Sequence, residues 1–85
     1  MNIQRTLTDM GFITQHNGGG TRVMVWRGKT HTWVASGLDG DMPADDWWLV
    51  CEYVNENWDN GEDCERAFDS ESDYFSDVIA AMLAD

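Results

Sequence analysis

Apolar side chains recur along this chain with two different periods. Ile3, Leu7 and Met10 fall at i, i+4 and i+7, one face of a helix over residues 3–10. Asn2 is placed to cap its start and Gly11 to stop it. Phe75, Val78, Ile79 and Met82 repeat the helical spacing near the other end. There Ser70 and Asp73 form an S-x-x-D capping box, with Asp where Glu is usual. Between these segments the pattern changes. Residues 21–26 and 31–35 are short runs rich in β-branched and aromatic types, set on either side of Arg27-Gly28-Lys29-Thr30. That arrangement predicts a β-hairpin.

Residues 47–54, Trp47-Trp48-Leu49-Val50-Cys51-Glu52-Tyr53-Val54, satisfy both periods. As a helix, residues 43–46 form its first turn, and Trp47, Val50, Cys51, Val54 and Trp58 its stripe. As a strand, the segment is almost wholly apolar, and its content of Trp, Val and Tyr favours that reading. Asp59-Asn60-Gly61 then turns the chain, and residues 63–68 pair back, although Arg66 between Cys64 and Phe68 spoils the alternation. His16-Asn17-Gly18-Gly19-Gly20 reads as a loop. The expected fold is α+β: one domain over residues 1–85, a four-stranded antiparallel sheet, order α-β-β-β-β-α. The alternative is α-β-β-α-α. Trp26, Trp33, Trp47 and Phe68 are its expected core aromatics.

Composition adds a second layer. Sixteen acids and five bases give a net charge of −11 in 85 residues. The five Trp and 42% apolar content are too hydrophobic for a disordered acidic tail. Residues 1–38 hold four bases and one acid, a balance of +3; residues 39–85 hold fifteen acids and Arg66, a balance of −14. A polyanion is repelled by phosphate, so direct nucleic-acid binding and docking on anionic membranes are both disfavoured. The N-terminal residues carry no apolar signal-peptide run, and no run is long enough to span a bilayer. The chain reads as cytoplasmic.

Motifs for bound groups fail one by one. Gly28-Lys29-Thr30 resembles the end of a P-loop, but Val23 stands where its first glycine belongs. Val23 likewise breaks a dinucleotide fingerprint begun at Gly18. Trp58 and Ala35 occupy ligand positions of the two possible calcium loops. Only a weak cation site among Asp39, Asp41, Asp45 and Asp46 survives as an alternative, and no cofactor is expected. Cys51 and Cys64 read as reduced thiols, with a cross-strand disulfide as the alternative. Neither His16 nor His31 lies near an evident nucleophile, so the chain does not read as an enzyme.

The acids themselves are the functional candidates. They fall in residues 39–46 (Asp39, Asp41, Asp45, Asp46), in residues 56–63 (Glu56, Asp59, Glu62, Asp63) and at the last helix. From the cap into that helix Asp69, Asp73 and Asp77 recur every four residues. On a continuous helix such carboxylates stand ~6 Å apart, close to a phosphate repeat. Trp58, Tyr53 and Tyr74 are candidate aromatic anchors beside them.

In size, acidic C-terminal half and mixed helix-and-sheet pattern, the chain resembles small phage-encoded inhibitors of bacterial defence, especially acidic anti-CRISPR proteins that mimic DNA. Residues 39–46, Asn57-Trp58-Asp59-Asn60-Gly61-Glu62-Asp63 and Ser70-Glu71-Ser72-Asp73-Tyr74-Phe75 carry the resemblance. It implies a protein partner, such as the nucleic-acid or PAM-reading groove of a Cas effector, met in the host cytoplasm. The expected function is a non-enzymatic inhibitor of a basic, nucleic-acid-handling protein, acting as monomer or homodimer. An antitoxin or immunity protein against a basic nuclease, or an acidic assembly subunit, are the alternatives.

Overall fold

The computed structural model describes residues 2–16, 20–54 and 64–85. Helix α1 (Ile3–Met10) is followed by strands β1 (Ile13–His16), β2 (Arg22–Arg27), β3 (Thr32–Ser36), β4 (Leu49–Tyr53) and β5 (Arg66–Asp69), and then by helix α2 (Phe75–Leu83). The strands form one antiparallel sheet in sequence order, β1 to β5. The α+β class and both helices stand as expected, but the sheet has five strands rather than four.

The added strand is β1. Its residues Ile13, Thr14, Gln15 and His16 pair with Val25, Met24, Val23 and Arg22, so His16 lies in a strand rather than in the glycine loop. As an edge strand it buries almost nothing, and Ile13 is 56% exposed, so no alternation marks it. The ambiguous segment resolves as a strand over residues 49–53: Val50 in β4 is fully buried between β3 and β5. Arg66 keeps its place in β5 because it sits opposite Glu52, and its guanidinium lies 4.9 Å above the Phe68 ring.

Both helices pack on one face of the sheet. Ile3 and Leu7 from α1, and Phe75, Val78 and Met82 from α2, share a core with Phe12, Met24, Trp33, Ala35, Trp48 and Val50. The apolar spacing read along the sequence is therefore the buried spacing. Gly11 ends α1 at φ 110°, where its N–H and that of Phe12 close on Thr8 and Leu7. The tryptophans are assigned differently from expectation. Trp33 is fully buried and Trp48 nearly so, whereas Trp47 is half-buried and outside the core. The other face of the sheet carries Val23, Val25 and Val34 with Tyr53 packed against them.

The start of α2 is the second correction. No Ser70–Asp73 capping box forms. Asp73 turns back so that its Oδ2 accepts from the Asp69 N–H at 3.0 Å, and Asp69 Oδ1 accepts from the N–H groups of Glu71 and Ser72 at 2.9 Å each. The carboxylates organise a turn, and the helix begins only at Phe75, after an extended Tyr74. Among the described residues no helix is long and apolar enough to cross a membrane.

Candidate functional site

The acidic candidates divide according to whether they already hold the fold together. Asp41 Oδ1 accepts from the N–H of Met42 at 2.8 Å and from that of Arg22 at 3.5 Å. Asp45 Oδ1 accepts from the Ile3 N–H at 2.6 Å, satisfying an open donor at the start of α1. Asp46 is exposed beside it, in the tight turn closed between Ala44 and Trp47. Asp39 lies in the 3-10 turn Leu38–Gly40. Among the described residues no three His, Cys, Asp or Glu groups are arranged to hold a metal ion. Glu56, Trp58, Asp59, Glu62 and Asp63 lie outside the described residues.

The regular carboxylate edge does not form. Asp69 ends β5, Asp73 lies in the turn, and only Asp77 stands on α2. What the fold does bring together is one end of the sheet. Trp48 donates its N–H to Ser70 Oγ at 3.1 Å and accepts from the Ser70 N–H at 3.0 Å. These two bonds tie the 44–47 turn to the 69–73 turn. Asp45, Asp46 and Glu71 are exposed in these turns, Asp77 is exposed on the first turn of α2, and Tyr74 is 78% exposed. Two shallow grooves flank residues 70–72: one of about 310 Å³ reaching Trp47 and Leu49, the other of about 250 Å³ bounded by Tyr74. Of the other proposed anchors, Tyr53 is half-buried against the valine cluster.

The opposite end of the sheet holds a cluster that the sequence reading passed over. His31 Nδ1 lies 3.1 Å from Asp85 Oδ1, and its Nε2 lies 2.9 Å from Glu65 Oε2. Glu52 Oε2 is 3.9 Å from Nδ1, while Glu52 Oε1 accepts from Arg66 Nε at 3.1 Å. The Thr30 hydroxyl donates to Asp85 Oδ1, and the N–H groups of His31 and Thr30 approach Asp85 Oδ2 at 3.4 and 3.5 Å. Asp85 is thus held in the β2–β3 turn, with only 3% of its side chain exposed. A side chain at Gly28 would collide with the Asp85 carboxylate, which explains glycine there.

The charges respond accordingly. Hydrogen bonding to Asp85 and then to Glu65 raises the His31 pKa above its ordinary 6.5. The Thr30 hydroxyl, followed by His31, holds the Asp85 carboxyl down at about 2. The buried Trp33 indole N–H makes no well-formed hydrogen bond, yet lies near enough to Asp85 to favour its ionised form. Both imidazole nitrogens face carboxylates, so His31 clasps Asp85 and Glu65 and its protonated form is favoured. Asp85 and Glu52 lie on the Nδ1 side of the ring and Glu65 on the Nε2 side. Cys51 and Cys64 are free thiols. Burial, and then its neighbour Cys64, push the Cys51 thiol up to about 12, which leaves it protonated at neutral pH. No local spacing announces this cluster, since Asp85 is 54 residues from His31. Only the Glu52–Arg66 pair follows from strand register.

No family model matches the chain, and neither a curated protein nor a solved structure matches it.

Proposed function

We propose that the protein is a non-enzymatic inhibitor that docks on the basic surface of a nucleic-acid-handling protein and keeps nucleic acid from it. The observation that carries this reading is the acidic end of the sheet, where Tyr74 is 78% exposed, Glu71 shares a groove with it, and Asp77 follows on the first turn of α2. An aromatic ring left in water beside unpaired carboxylates suits an interface anchor with a polar rim. Like charges around it attract a basic partner over long range and speed encounter. A histidine with both nitrogens engaged and a thiol held protonated support binding rather than catalysis. The resemblance to acidic anti-CRISPR proteins makes the DNA groove of a Cas effector the specific target of this reading.

The test is competition. The immobilised full chain is incubated with cell lysate and washed, and the bound fraction is challenged with duplex DNA. The expected result is retention of a nucleic-acid-binding protein that duplex DNA releases, with retention cut at least tenfold by Glu71→Lys combined with Tyr74→Ala. A bound protein that DNA leaves in place, or that the double variant still holds, overturns the reading. Recovery of a nuclease toxin alone would favour the immunity-protein alternative, and self-association alone the assembly subunit.

A further inference from the structure

The groove at the acidic end has a chemistry narrower than negative charge. Its walls are Trp47, Leu49, Asp69, Ser70, Glu71 and Ser72, enclosing about 310 Å³. That volume lies at the bottom of the roughly 300–1,000 Å³ range of small-molecule sites, so it suits one inserted side chain better than a whole metabolite. Trp47 is half-buried and lines the groove, whereas every other described tryptophan is packed into the core or against it. Leu49 faces Asp69 across the β4–β5 ladder, so the apolar and acidic walls come from paired strands.

Hydrogen-bonding capacity is unequal. The backbone donors of Glu71 and Ser72 are consumed by Asp69 Oδ1. Asp69 Oδ2 and both Glu71 carboxylate oxygens carry no hydrogen bond or ion pair among the described residues, so beside the Ser70 and Ser72 hydroxyls the groove offers mainly anionic acceptors. An occupant must therefore be cationic and rich in donors, with a flat face for the indole. A guanidinium has five N–H donors, no acceptor, and a plane that stacks on aromatic rings. An ammonium satisfies the charge but not the plane. Resting on the binding reading above, we infer that this groove receives an arginine side chain of the basic partner, stacked on Trp47 and hydrogen-bonded to Asp69 and Glu71.

The experiment uses the intact chain and two short peptides of equal length, one all arginine and one all lysine, followed by calorimetry and by NMR of backbone and indole N–H signals. The arginine peptide is expected to bind roughly two- to fivefold tighter, the span of one exposed cation–π contact. It should move the Trp47 indole signal and the amides of residues 69–72. Glu71→Gln, which keeps the backbone N–H bond to Asp69 and removes only the exposed side-chain charge, should bring the two affinities together. Trp47→Leu, checked for an unchanged core spectrum, should do the same. Equal affinities, or shifts spread over acids outside the groove, overturn the arginine site and leave the acidic-surface reading standing. Binding of neither peptide overturns both.

Discussion

His31 needs two protons to satisfy its neighbours, because Nδ1 faces Asp85 at 3.1 Å and Nε2 faces Glu65 at 2.9 Å. The sign of its contribution to stability follows. Its folded pKa lies above the ordinary 6.5, so the stabilisation is complete below pH 6.5 and is lost as pH rises through the folded value. Asp85 works the other way. Its pKa falls from 3.8 to about 2, so its stabilisation is complete above pH 3.8 and is lost as pH drops towards 2. The clasp is strongest between these limits. Denaturant midpoints measured across pH should show both slopes. Asp85→Asn should remove its own acid slope and shrink the alkaline one, because Asp85 is the largest influence on His31. Gly28→Ala tests the same contact from the backbone. The new methyl displaces the Asp85 carboxylate, so an NMR titration should place the His31 pKa closer to 6.5 than in the parent. An overpacking cost of roughly 1–3 kcal/mol is expected with it.

The elements differ in how far local pattern reaches. Helix α1 depends on its own Asn2, whose Oδ1 accepts from the Arg5 N–H at 3.1 Å, and on Asp45, whose carboxylate arrives from the 44–47 turn. Asp45→Ala should cost about 1 kcal/mol in urea unfolding, the usual worth of a helix-start acceptor. Leu7→Ala should cost about 2–5 kcal/mol, because Leu7 is fully buried in the shared core. The apolar spacing of both helices, the hairpin and the strand within residues 47–54 were legible because each buries one continuous face or run. β1 was not, since an edge strand with Ile13 exposed leaves no apolar period to read. The beginning of α2 misled for a different reason. Asp73 suits a helix cap and a turn equally well, and only the closeness of the Asp69 N–H decides between them. The same physics undoes the carboxylate edge: a four-residue spacing becomes a repeat in space only on a continuous helix, and Asp69 lies on a strand. His31 and Asp85 meet only when α2 packs along the sheet, a relation that chain spacing does not contain.

At the scale of the whole molecule, a charge of −11 acts on folding and on binding with opposite signs. Within a small compact chain like charges repel, so the net charge opposes the folded state. Against a basic partner the same charges accelerate encounter. The structure also limits which acids are free to do so. Asp41, Asp45, Asp69 and Asp73 are tied to backbone N–H groups, whereas the side chains of Asp46, Glu71 and Asp77 are exposed and bear no such bond among the described residues. Changing Asp69, Asp73 and Asp77 together to Asn would therefore confuse loss of the turn with loss of the surface. Glu71→Lys and Asp77→Asn separate them and should leave the melting temperature within a few degrees of the parent. Salt separates the two roles in the unaltered protein. Raising ionic strength from about 0.05 to 0.5 M shortens the screening length from roughly 14 to 4 Å. Repulsion between exposed acids should then fade more than the short contacts around His31, so the melting temperature should rise. Over the same range, association with the basic partner should slow at least tenfold, read from stopped-flow fluorescence of the tryptophans. A melting temperature that falls with salt would mean that the His31 cluster outweighs the repulsion. Association indifferent to salt would mean that the acidic end does not guide the encounter.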